Sequence, residues 1–113
     1  MITTDALPDW PPPDGEPIGP DRARAYIAWI RDRVKPLLEE GRRMMKARYP
    51  SAYIGTYAPR ADQLATWRFS EGMEALAIGG LWCEPTPGSF AWVNIVIRRD
   101  GHLEVRPGQR MRE

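Results

Sequence analysis

The sequence predicts an α+β protein: one long N-terminal helix, kinked near Pro36, packs on an antiparallel β-meander of about five strands and is preceded by a Pro-rich extended arm. Three observations carry this. Apolar residues recur at helical spacing between Ala23 and Met45. Short apolar runs between Gln63 and Arg106 are separated by turn chemistry at Ser70-Glu71-Gly72, Glu84-Pro85-Thr86-Pro87-Gly88 and Arg99-Asp100-Gly101. Prolines crowd the first twenty positions. Period and punctuation together separate helix from strand.

A chain of 113 residues reads as one domain, able to bury roughly two thirds of its unfolded surface without a disulfide or metal. The expected division is an arm over 1–19, an α+β domain over 20–107 and a frayed tail over 108–113. Net charge is +1, too small to argue for nucleic acid or an anionic membrane from the total. Its distribution is uneven: residues 1–20 hold four acids and no base, whereas 21–48 hold nine bases and four acids. Cys83 is the single cysteine, so no intrachain disulfide can form, and its apolar setting marks it as a small core residue. The N-terminus lacks the basic and apolar segments of a secretion signal, and no apolar run reaches the roughly 18 residues of a membrane span. The expected compartment is the cytoplasm.

In the arm, Pro8, Pro11, Pro12, Pro13 and Pro17 fix φ and remove backbone donors, so the segment is extended. Trp10 is its largest anchor: it either docks on the domain or, with the prolines after it, is offered to a partner. The helix starts at Gly19-Pro20-Asp21, where proline suits the first position and Asp21 suits the cap or the positive end of the dipole. It stops near Arg48, ahead of Pro50. Its apolar stripe keeps phase across Pro36, which favours one bent helix over two. Trp29 falls beside the stripe. The outward face is basic, and Arg42, Arg43, Lys46 and Arg48 form its densest part, a candidate phosphate-contacting surface.

Ser51 to Tyr57 alternates as a strand, Ala58 to Asp62 is a turn, and Gln63 to Ser70 is expected as a second strand. Met73 to Cys83 is helix-friendly at its start but glycine-bracketed, so a strand with a bulge near Gly79-Gly80 is expected. In the last hairpin a three-residue loop, Arg99-Asp100-Gly101, pairs 97 with 103 and 95 with 105. That register puts Val93, Ile95, Ile97, Leu103 and Val105 on one face, with Gly101 left-handed. The opposite face carries Trp92, Asn94, Val96, Arg98, His102, Glu104 and Arg106.

Chemistry-bearing patterns are sparse. His102 is the only histidine and follows a tight turn, no Ser sits in a nucleophile-elbow context, and Cys83 has a single His to partner it. One His and one Cys leave a metal site short of ligands, and no phosphate-cradling glycine motif occurs. No catalytic activity, metal or cofactor is expected. Aromatic residues on the strands are numerous, and a sheet covered by one helix has a second face. Trp92, Arg98, Arg106 and Arg68, with Trp10 of the arm, are therefore the candidate partner-binding residues, because exposed Trp and Arg dominate interface energetics. The expected function is a non-catalytic protein-binding module that occludes or bridges a partner, of the inhibitor, immunity, anti-defence or assembly-subunit kind. Alternatives are a nucleic-acid-binding accessory protein using the basic helix face, and a small-molecule-binding half-barrel with a cavity between helix and sheet. Either sheet edge, Ser51 to Tyr57 or His102 to Arg106, could pair with a second copy.

Overall fold

The computed structural model describes residues 1–58, 60–108 and, for the backbone, 111–112. Helix α1 runs from Pro20 to Arg48 without interruption, with Pro36 inside it. Gly19 at φ 83° turns the chain into it, and the Tyr49 N–H donates to Met45 O (2.7 Å) at its end. Asp21 makes no cap hydrogen bond; it pairs with Arg24 one turn on. Ala23, Tyr26, Ile27, Ile30, Leu37, Gly41 and Met45 form the buried stripe. Burying side chains such as Ile30 and Leu37 contributes about 1.5–3 kcal/mol each. Pro36 is exposed, so the carbonyl it leaves unpaired can be met by water.

The sheet is an antiparallel meander of four strands, β1 (Gly55–Tyr57), β2 (Ala75–Thr86), β3 (Ser89–Arg98) and β4 (Leu103–Pro107), joined in that order. A two-residue strand, β5 (Met111–Arg112), pairs with Ser89 and Phe90 beyond the end of β4. The last hairpin has the expected register, Ile97 opposite Leu103 and Ile95 opposite Val105, with Gly101 at φ 88°. The bulge also falls where the glycine pair placed it, as a register shift between Ala77 and Gly79. Side chains alternate. Leu81, Cys83, Ala91, Val93, Ile95, Ile97, Leu103 and Val105 are buried in the core with the α1 stripe. Gly41 lets α1 approach closely, because a Cβ there would lie 2.5 Å from Leu81 Cδ1 and 3.1 Å from Val93 Cγ1.

Two expectations need correction. Strand β1 is shorter than Ser51 to Tyr57, and Gln63 to Ser70 is not in the sheet. That segment opens with a short helix, α2 (Ala61–Leu64), followed by a turn at Ala65-Thr66, and its carbonyls pair with the arm. Gly15, Ile18 and Gly19 donate their N–H groups to the carbonyls of Phe69 (2.7 Å), Trp67 (3.0 Å) and Ala65 (2.9 Å). The burial of Ala65, Trp67 and Phe69 does alternate, but Ala65 and Thr66 turn off the end of α2, and the backbone partner of the segment is the proline arm. The arm can serve because Gly15, Ile18 and Gly19 retain the N–H groups that its prolines lack. Pro59, in the expected turn, lies outside the described residues, as do Gln109, Arg110 and Glu113 of the tail expected to fray; Met111 and Arg112 of that tail pair with β3 instead.

The start of the arm covers the other edge of the sheet. Thr3 donates to Leu103 O (2.9 Å), Val105 to Met1 O (3.1 Å) and Leu7 to Gly101 O (2.9 Å). The outer edge of β4, one of the two expected pairing edges, is thus already occupied. Leu7 and Ile18 are buried. Trp10 sits edge-on to Tyr26 and Phe69, with ring centroids 5.3 Å away in each case, and its Nε1 donates to Arg98 O (2.8 Å).

Arg99 ties these pieces together. Its guanidinium donates to Met73 O (2.8 Å), Ser70 O (3.0 Å) and Asp14 Oδ1 (2.7 Å), and lies 4.7 Å from the centre of the Phe69 ring. Three charge-assisted bonds converge from the arm and the loop before β2. Arg99→Ala should cost about 2 kcal/mol, the low end for such contacts because the side chain is partly exposed. Chemical denaturation checks this; Arg99→Lys should recover only part of the loss, since an ammonium cannot span three acceptors in the guanidinium plane. An unchanged midpoint in Arg99→Ala would show that the clamp contributes nothing.

Candidate functional site

The face of the sheet turned away from α1 has two halves of different chemistry. Near β1 it is aromatic. Trp82 and Trp92 are directly opposite on β2 and β3, and Gly55 is opposite Trp82. The rings form a run: Tyr53 to Trp82 (6.4 Å between centroids), Trp82 to Phe90 (6.4 Å) and Phe90 to Trp92 (5.9 Å). Tyr53 is 80% exposed, and the other three are half-buried. The run depends on glycines. A Cβ at Gly55 would fall far inside contact with the Trp82 indole, so the ring lies across β1 only because position 55 has no side chain. Gly80, opposite Asn94, leaves room in the same way for the Tyr57 hydroxyl, which donates to Asn94 Oδ1 (2.7 Å). Partial burial of that phenol raises its pKa above the ordinary value.

Toward β4 the same face is ionic. Glu74 Oε1 accepts from Arg106 (2.7 Å), Arg106 Nε donates to Glu104, Arg98 stands 3.7 Å from Glu104, and Arg98 pairs with Asp100 Oδ2 at 2.7 Å. His102 Nδ1 closes the chain 3.1 Å from Asp100 Oδ1, without hydrogen-bond geometry. Signs alternate along the row, so both guanidiniums are paired within it. The Arg106 guanidinium holds the Glu74 carboxyl below its ordinary pKa. The His102 backbone N–H, more than any side chain, does the same for Asp100. Because both folded pKa values are depressed, their contribution is complete above the unfolded carboxylate pKa of about 4. It is lost as pH falls through the lower folded values. Carboxyl carbon shifts followed by NMR should therefore show Glu74 titrating below the ordinary glutamate value and Asp100 below the ordinary aspartate value. Ordinary midpoints for both would dissolve the chain as a feature in solution.

The candidates expected from sequence are thus separated. Trp92 belongs to the aromatic half. Arg98 and Arg106 share its face but are spent on neighbouring carboxylates. Arg68 is not on the sheet; it lies in the segment paired with the arm and donates to Gly15 O (3.3 Å). Trp10 is wedged into the fold. On α1, Arg43 pairs with Glu40 and the Arg48 guanidinium lies 5.8 Å from the Tyr49 ring centre, whereas Arg42 and Lys46 make no ion pair among the described residues. Of the numerous strand aromatics, sequence reasoning singled out only Trp92 as a site residue; Tyr53, Trp82 and Phe90 join it in the structure. The signal that unites them is Trp82 opposite Trp92. It depends on a register shift between Cys83 and Thr86 in the β2–β3 turn, which the turn residues alone do not specify.

Among the described residues no group of three His, Cys, Asp or Glu side chains could hold a metal ion, and no helix is long and apolar enough to cross a membrane. Compared with protein-family models, curated proteins and solved structures, the chain matches none.

Proposed function

We propose that this protein is a non-catalytic protein-binding module whose partner seats on the aromatic half of the open sheet face, occluding or bridging that partner. The observation that carries the reading is the four-ring run Tyr53, Trp82, Phe90 and Trp92 on a surface no helix covers. Large, rigid, partly desolvated rings supply binding energy at low entropic cost, and an ionic border whose guanidiniums are already paired suits a polar rim that excludes water. A cytoplasmic setting fits a chain with one buried cysteine.

The test compares proteins captured by tagged wild-type chain, Trp92→Ala and Gly55→Ala from native lysate at high salt after nuclease treatment. Gly55→Ala displaces the Trp82 ring without removing an aromatic. A protein retained by wild type and lost with both variants, at unchanged circular dichroism, is the expected result. Identical capture by all three would sink the proposal.

A second reading has its own observation. Arg31, Lys35, Arg42 and Lys46 recur at spacings of four, seven and four on one side of α1, and none makes an ion pair among the described residues. Such a row would follow a phosphate backbone. Anisotropy of a labelled single-stranded oligonucleotide would separate the readings. Affinity falling steeply with salt, and abolished by Arg42→Glu with Lys46→Glu, supports nucleic acid; no binding at low salt removes it.

A further inference from the structure

We propose that the cleft between the C-terminal end of α1 and the end of the sheet is a binding site for a small amphipathic anion, its apolar body inside and its charge on Arg48. The site lies on the helix side of the sheet and shares only Trp92 with the aromatic run of the open face. It encloses about 350 Å³ and is lined by Met44, Met45, Tyr49, Ala91, Val93 and Pro107, with Arg48, Trp92 and Gly108 completing the wall. That volume is at the lower end of those that hold small ligands.

The cleft follows from the packing. Helix and sheet are in tight contact at Gly41, against Leu81 and Val93. Farther along, β4 ends at Pro107 opposite Val93. The next helix-facing residue on β3 is Ala91, short compared with Val93, Ile95 and Ile97. Helix α1 runs on past this point to Arg48. A long helix running beyond the end of β4, over the small side chain of Ala91, leaves space that the flexible thioethers of Met44 and Met45 line but do not close. The Gly108 N–H is committed to Trp92 O (2.7 Å), so the backbone there is satisfied.

Among the described residues Arg48 is the only ionised side chain in the lining. It makes no ion pair among the described residues, and its guanidinium lies over the Tyr49 ring, itself part of the wall. An apolar chamber with one uncompensated, ring-supported cation complements a carboxylate or similar anion on an apolar body. It does not complement a cation or a strongly polar molecule.

The probes are octanoate, its methyl ester and octylamine, titrated into full-length protein carrying ¹³C-methyl methionine. Expected are saturable shifts of the Met44 and Met45 methyl signals with octanoate, at an affinity about tenfold above the ester, as one charge-assisted bond implies. Octylamine should bind weakest. Arg48→Gln should remove the octanoate preference while leaving ester binding in place. Ala91→Leu should block both, and Met44→Trp, on a half-buried position, provides a second obstruction if Ala91→Leu lowers stability. Equal affinity for acid and ester, an unchanged preference in Arg48→Gln, or still methyl signals at the solubility limit of octanoate would each overturn the proposal.

Discussion

A chain lacking residues 1–18 should fail to show a cooperative thermal transition and should aggregate. The arm is part of the core: Leu7 and Ile18 are buried, and Trp10 fills the space between Tyr26 and Phe69. Burial of the two aliphatic side chains contributes about 1.5–3 kcal/mol each, and loss of the Trp10 wedge costs about 3 kcal/mol. The sum is comparable to the roughly 5–15 kcal/mol by which small proteins are stable at all. Truncation also strips Met1, Thr3 and Leu7 from the outer edge of the last hairpin, leaving an unpaired strand edge that templates association. Light scattering and circular dichroism report both effects. A synthetic peptide of residues 1–18 added in trans should restore part of the transition. A truncated chain melting within a few degrees of the full chain would show that the arm is only draped on the surface. For the same reason, loss of partner capture on truncation would say nothing about whether the arm touches the partner.

Gly80→Ala should be the most damaging single-methyl addition in the sheet. Position 80 has φ 153°, and a Cβ would run into Val93 O, within the β2–β3 pairing, and stand 3.0 Å from the Tyr57 hydroxyl. The obstacle is a backbone carbonyl, so no rotamer change relieves it. Strain at a positive φ and overpacking each cost about 1–3 kcal/mol, giving an expected loss of about 3 kcal/mol or more. For a chain of this size that lowers Tm by roughly 12 °C or more. Gly72→Ala is the control, because Gly72 also has positive φ (85°) but nothing lies within 4 Å of its added Cβ. Its cost should stay near 1 kcal/mol. Equal losses at the two positions would mean that backbone conformation alone, and not the close approach of β3, sets the requirement at Gly80.

The two glycines at 55 and 80 also show how much of the candidate site was legible in the sequence. Gly80 could be read as part of a bulge, and Gly55 as a weak position in a short strand. That each makes room for a ring from its neighbour, Trp82 over Gly55 and Tyr57 over Gly80, requires the pairing of β1 with β2. Likewise Arg98 and Arg106 read from sequence as surface cations available to a partner. Two of their carboxylate partners are local, Asp100 for Arg98 and Glu104 for Arg106, but the links that join them into one row are Arg98 to Glu104 across the β3–β4 pair and Arg106 to Glu74, 32 positions earlier. No local pattern announces a cross-strand row of that length.

What the sequence determined by itself was set within one turn or one period. The apolar stripe and the flanking prolines specified α1 to its end residues. The Arg99-Asp100-Gly101 loop specified the register of the last hairpin, because only that loop turns all five apolar side chains inward. What the tertiary structure decided was which elements meet. The Ala65, Trp67 and Phe69 alternation found the arm and not the sheet, Trp10 became a wedge, and the β4 edge was covered. Pairing partners far apart in sequence are selected by which buried surfaces and unmet backbone groups can be satisfied together. That choice belongs to the assembled chain and not to any stretch of it.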